Sequence, residues 1–223
     1  MIIQLVDRNQ DMVDAWNSEF FECDDVTIHC DDFFALETDC IVSPANSFGF
    51  MDGGLDGVIT QRLGPYTQIN LQNKIAIRPI KELLVGEAML VATENDKIPW
   101  CISAPTMRVP ATLLKNTPNV YLATKAIFGE LLDIAHDRSS PDIKKVTISG
   151  LGTGVGRVPY DICAQQMKKA YDEVWLGKFT SPRTWYEASQ RHQLLYTDIN
   201  NTRDLQHPSN NDEWDDFHDD REI

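Results

Sequence analysis

The sequence predicts an α/β fold of three layers, with helices covering both faces of a central, mixed and largely parallel sheet. Three observations predict it. Short β-branched, apolar runs alternate with longer segments of helical spacing, as expected for strands joined through helices. Two of the runs, Cys40-Ile41-Val42-Ser43 and Val146-Thr147-Ile148-Ser149, are largely apolar rather than alternating, which suits strands covered on both faces. Each of these two runs leads directly into a glycine cluster and then a helix. Both clusters therefore belong at the carboxyl ends of strands, where ligands bind in such sheets.

Taken in order, residues 2–6 form a short apolar strand, and Asp11 to Phe21 carries Met12, Ala15, Trp16 and Phe20 at helical spacing. Val26 to Cys30 alternates and is β-branched, so it reads as a strand. A turn at Asp31-Asp32 precedes the buried strand Cys40–Ser43. A helix opens at Gly54 or Leu55 and runs to about Leu63, where Gly64-Pro65 is a stop signal. Tyr66 to Ile77 reads as a further helix. Gly86 to Thr93 and Trp100 to Ala104 read as strands. Pro118 to Ala135 is a helix with Val120, Ala123, Ile127 and Leu131 on one side. The strand Val146–Ser149 follows, and then a helix from about Pro159 to Trp175. Residues 1–200 are expected to form one domain. Arg203 to Ile223 holds eight acidic and two basic residues and reads as a solvated, flexible tail. Its Trp214 and Phe217 are handles for docking on a partner or on the domain itself.

Charge limits the function. The chain has 223 residues and a formal charge of −14. Non-specific binding of DNA or RNA needs clustered Lys and Arg, and the sequence shows no such cluster, so long nucleic acids are not expected partners. Any bound phosphate must be held locally, by backbone N–H groups or a helix end. The five cysteines include no C-x-x-C pair, and the Cys and His residues show no ligand spacing. Reduced thiols and no metal or cofactor are expected. The N-terminus has no basic segment followed by an apolar core, and no run reaches membrane-spanning length. A soluble, cytoplasmic monomer is the expectation.

The two glycine loops carry the chemistry. In Ser149-Gly150-Leu151-Gly152-Thr153-Gly154-Val155-Gly156 four glycines occupy alternating positions. Glycine lets a ligand approach the main chain, successive N–H groups form an anion nest, and the following helix adds the positive end of its dipole. A dinucleotide fingerprint belongs after the first strand of a βαβ unit, and a P-loop ends in Lys-Ser or Lys-Thr. This loop follows a late strand and lacks that ending.

The other loop, Ser43-Pro44-Ala45-Asn46-Ser47-Phe48-Gly49-Phe50-Met51-Asp52-Gly53-Gly54-Leu55-Asp56-Gly57, makes the pattern specific. The segment IVSPANSFGFMDGGLDGVI resembles the macro-domain signature, GLGTGVGRVP resembles that family's second phosphate loop, and HCDDFFALETDCIV resembles its first motif. The three stand in the family's order over roughly residues 25–175. The resemblance is strongest to stand-alone bacterial and phage-type members with a segment like Ala104–Pro110, APTMRVP.

The resemblance implies a set of roles. Asp32, with Asp31 as the near alternative, would accept a hydrogen bond from an adenine amino group, or else caps a turn. Asn46 would contact the distal ribose of ADP-ribose and, as a catalytic residue beside Asp56, help position the attacking water. Asp56 would orient or deprotonate the attacking water as a general base, or caps its helix, or does both. Gly53, Gly54 and Gly57 would bring the first loop onto the diphosphate, and Gly152, Thr153, Gly154, Val155 and Gly156 would wrap it from the other side. Phe33, Ala45, Phe48 and Arg157 complete the implied ligand-binding set. Phe48 and Phe50 stack on ribose or serve packing. Arg108, Asn119 and Tyr121 are further candidates.

Departures from the family pattern are also visible. Thr60 stands where many hydrolytic members carry His, Gly156 stands where many carry an aromatic, and Arg157 and Val158 replace the more usual glycine and aromatic. The implied activity is hydrolysis of ADP-ribose esters, either O-acetyl-ADP-ribose or mono-ADP-ribosylated protein carboxylates. The alternatives are a non-catalytic ADP-ribose reader and a binder of a related nucleotide such as NAD, a cyclic ADP-ribose or RNA ends.

Overall fold

A computed structural model describes residues 1–114 and 116–197. The expected acidic tail, with Trp214 and Phe217, lies outside the described residues.

Six strands form one sheet: β1 (Ile2–Asp7), β2 (Val26–Cys30), β3 (Cys40–Ser43), β4 (Met89–Ala92), β5 (Trp100–Ser103) and β6 (Lys145–Ile148). Their order is β2-β1-β6-β3-β5-β4. Every neighbouring pair is parallel except β4 with β5. The helices are α1 (Gln10–Phe20), α2 (Gly54–Leu63), α3 (Tyr66–Ile77), α4 (Asn119–His136), α5 (Tyr160–Ala170) and α6 (Trp185–Gln193), with a π-helical turn at Tyr171–Trp175 after α5. The predicted mixed sheet with helices on both faces is the fold.

Side-chain alternation divides the interior into two cores. Cys40, Val42 and Ile102 point to one face, where they join Met12 and Trp16 of α1, Ile127 and Phe128 of α4, and Cys163 and Met167 of α5. Ile41 and Cys101 point to the other, under Ile59 of α2 and Leu71 and Ile75 of α3. The longer helices bury residues about one turn apart. On α4 the buried set is Val120, Ala123, Thr124, Ile127, Phe128, Leu131 and Ile134, a stripe of three- and four-residue steps. Asn9 starts α1 by accepting a hydrogen bond from the Asp11 N–H at 2.8 Å. The outer edge of β4 is covered by side chains: Lys74 donates to the Leu90 carbonyl at 2.7 Å, and Glu130 accepts from the Leu90 N–H at 2.9 Å. That blunts an otherwise free pairing edge.

Sequence reading missed α6. At its start Thr184 caps the helix by accepting from the Glu187 N–H at 3.1 Å, while Glu187 reaches back past the cap to accept from the Arg183 N–H at 2.8 Å. The Thr-x-x-Glu spacing was the available signal. Among the described residues no helix is long and apolar enough to cross a membrane.

Candidate functional site

β1 and β3 are not neighbours; β6 lies between them, and the chain builds outward from this point in both directions. Such a reversal leaves a crevice beyond the carboxyl ends of the strands. A cavity of about 560 Å³ opens there, a size typical of small-molecule sites. Its walls are the segments just past β1 (Arg8), β2 (Asp31–Phe34), β3 (Pro44–Asn46) and β6 (Ser149–Gly150), together with both glycine loops.

The walls present unused N–H groups. Gly53 caps α2 with no side-chain hydrogen bond, so the first N–H groups of the helix have no acceptor in it. In the second loop the Arg157 N–H donates to the Gly154 carbonyl and the Val158 N–H to the Gly152 carbonyl, both at 3.1 Å. The N–H groups of Gly152 to Gly156 have no intramolecular acceptor among the described residues. Both sets border one cavity, and Arg8 is the one cation among the described lining residues. An anion would be held here by amides and helix dipole rather than by side-chain charge.

Glycine is required sterically at Gly156. A Cβ there would stand 2.4 Å from the Gly152 carbonyl oxygen. The aromatic found at this place in many relatives cannot be accommodated in a loop folded this tightly. Leu113 braces the same turn through its N–H, which donates to the Gly156 carbonyl at 2.8 Å. Arg157 carries the left-handed conformation, φ 56°, which explains why glycine is usual at that position. Its side chain makes no hydrogen bond or ion pair among the described residues. Arg157→Gly is therefore expected to stabilise the fold by roughly 0.5–1 kcal/mol without changing ligand affinity. Thermal melts and calorimetry check this.

Asp56 lies in the first turn of α2. Its Oδ1 accepts from the Ser43 hydroxyl at 2.5 Å. Burial pushes its pKa up to about 6; the Ser43 hydrogen bond opposes that shift and the Asp52 charge adds to it. A carboxylic acid poised near neutrality fits proton transfer. Asn46 uses its side chain on its own loop. Nδ2 donates to the Phe50 carbonyl at 2.7 Å, and Oδ1 accepts from the N–H groups of Phe48 at 3.1 Å and Phe50 at 3.3 Å. Thr60, in place of the His of many relatives, donates to the Met51 carbonyl at 2.7 Å. It fastens the first loop to α2. Asp32 accepts from the Phe34 N–H at 2.8 Å and pairs with Arg8. These two contacts, the backbone bond first, hold its pKa below the ordinary carboxylate value.

The structure thus brings Asp56, Asn46, Asp32, Phe33, Ala45, Gly53, Gly54, Gly152, Thr153, Gly154, Val155 and Gly156 around one cavity. It leaves Phe48, Gly57 and Arg157 out of the lining. Phe48 packs beneath Arg108, whose guanidinium lies 4.9 Å from the ring centre. Arg108 in turn forms two bonds to Glu82, at 2.8 and 2.7 Å. Asn119 donates to the Thr106 carbonyl at 2.8 Å, and Tyr121 donates to Glu173 at 2.5 Å, so both serve packing. Sequence reading missed Arg8, Ser43, Asp52, Met107 and Tyr160. The first two stand at strand ends, which was the usable signal.

The sequence profile of the family described as Macro domain matches residues 42–167. An uncharacterized protein of Aquifex aeolicus (strain VF5) is 38% identical over 132 residues, 59% of this chain and 72% of that protein. The macrodomain of Mycobacterium tuberculosis DarG is similar in structure, with a TM-score of 0.54 and 18% identity, over 66% of this chain and 90% of that one. A mutant Oceanobacillus iheyensis macrodomain solved with ADPR gives a TM-score of 0.50 at 18% identity, over 63% and 72%. These two structural likenesses speak for the fold.

Proposed function

We propose that this chain, which belongs to the macro domain family, binds ADP-ribose and hydrolyses ADP-ribose esters by attack of water. The observation that carries the reading is the convergence of three features on one cavity: the uncapped start of α2, the free amides of the second loop, and the carboxyl of Asp56. The two sets of amides would cradle the diphosphate. Asp32 would receive the adenine amino group. Asp56, ionised above a pKa of about 6, would take a proton from water at the distal ribose as that water attacks the ester carbon, and would return the proton to the ribose oxygen as it leaves. The O. iheyensis likeness, solved with ADPR, supports the ligand class. No cofactor enters this scheme, and the protein acts as a cytoplasmic monomer on a small or protein-linked substrate.

The experiment is incubation of wild type and Asp56→Ala with O-acetyl-ADP-ribose and with a mono-ADP-ribosylated protein, alongside calorimetry with ADP-ribose. Turnover by wild type, lowered at least 100-fold in the variant, is expected. Equal turnover by both proteins overturns the catalytic role. A thermal shift that prefers NAD or AMP to ADP-ribose overturns the ligand. A second reading, a reader that binds without turnover, is favoured by one observation: the Asn46 amide is occupied by its own loop. Micromolar binding with no turnover selects it.

A further inference from the structure

Behind Asp56, on the side away from the cavity, lie the carboxyl ends of β3 and β5. Residues two apart on a strand share a face. Ile41 and Cys101 face α2 and α3, so Ser43 and Ser103 face that side too. They are register partners on adjacent parallel strands, whose backbones run about 4.8 Å apart. Both serines are fully buried, at 0% exposure. Ser43 donates to Asp56 Oδ1 at 2.5 Å. The Ser103 hydroxyl has no partner among the described residues, and a buried hydroxyl without one is unfavourable.

We propose that Ser43 is a positioning residue for Asp56, and that Ser103 supplies a second hydroxyl to the same floor, within one bridging water of the carboxylate. The Ser43 bond holds Oδ1 against the sheet. That leaves Oδ2 as the oxygen presented to whatever occupies the cavity. A hydroxyl that donates to a carboxylate also favours its ionised form. The titratable groups facing Asp56 are Asp52, from the loop before α2, and Cys101, from β5. Asp52 opposes ionisation, and burial keeps the Cys101 thiol neutral. Ser43 is the hydrogen-bond donor working the other way. The kinetic consequence rests on the hydrolase reading above; the effect on titration does not.

The test is a carbon-13 NMR pH titration of the Asp56 carboxyl in the full chain, in wild type, Ser43→Ala, Ser43→Thr and Ser103→Ala. The pH dependence of ester hydrolysis is followed in parallel. Ser43→Ala is expected to move the Asp56 midpoint upward by about one pH unit. The fall in kcat would be about fivefold at pH 6, with KM unchanged. Ser43→Thr keeps the hydroxyl and is expected to titrate like wild type. Ser103→Ala is expected to move the midpoint the same way by less. An unmoved midpoint in Ser43→Ala overturns the positioning role, and an unmoved midpoint in Ser103→Ala overturns the second hydroxyl. Absence of ester hydrolysis in wild type overturns the hydrolase reading alone, because the titrations still decide this one.

Discussion

Asp56→Asn is expected to raise the melting temperature at pH 7.5 by roughly 5 °C while removing ester hydrolysis. Burial lifts the Asp56 pKa from its ordinary value of 3.8 to about 6. The folded protein therefore holds this proton more tightly than the unfolded chain does. The stability this contributes is fully present below pH 3.8 and is lost as pH rises through 6. Above that, the ionised buried group costs about 2–3 kcal/mol, taking 1.36 kcal/mol per pH unit. Asn keeps an oxygen for the Ser43 hydroxyl to bond. It gives up the favourable charge at the start of α2, about 0.3–1 kcal/mol. The net gain is about 2 kcal/mol at neutral pH and nothing near pH 4. Melts from pH 4 to 8 check the sign; curves that coincide at pH 7.5 refute it. An amide cannot act as the base, so turnover is expected to fall by about 10²–10⁴. A gain in stability on losing a site residue is what a group held against its own solvation predicts.

The second large effect concerns the second glycine loop. Gly156→Ala would place a methyl group 2.4 Å from the Gly152 carbonyl oxygen. The opposing atom is backbone and cannot swing aside as a side chain would, so the loop itself must open. The bonds from Arg157 to Gly154 and from Val158 to Gly152 would lengthen, and the free amides would no longer converge. Affinity for ADP-ribose is expected to drop by about 100-fold or more, equivalent to roughly 2.7 kcal/mol, and stability by about 1–3 kcal/mol. Gly154→Ala is the control. A Cβ there meets nothing within 4 Å, so the turn keeps its shape and stability should stay within about 0.5 kcal/mol of wild type. Calorimetry separates the two. Wild-type affinity in Gly156→Ala would show that this loop does not hold the diphosphate.

The sequence by itself determined the layers. The strands β1 to β6 and the helices α1 to α5 were legible because their signals are local: two- and four-residue periodicity, a buried apolar run, a glycine after each critical strand. The two glycine loops could be placed at the ligand edge for the same reason. Tertiary structure decided what those signals do not encode. It set β6 between β1 and β3 and so opened the crevice. It put Ser43 under Asp56, thirteen residues on, and Arg8 against Asp32, 24 residues on. It turned the Asn46 amide onto its own loop and packed Phe48 against Arg108 instead of in the cavity. The physical reason is common to all of these. A side chain's partners follow from register and from which strands become neighbours, and those depend on contacts distant in sequence. Local pattern fixes where the amides lie, whereas the packing of β3, β5 and α2 fixes the protonation of the carboxyl beside them.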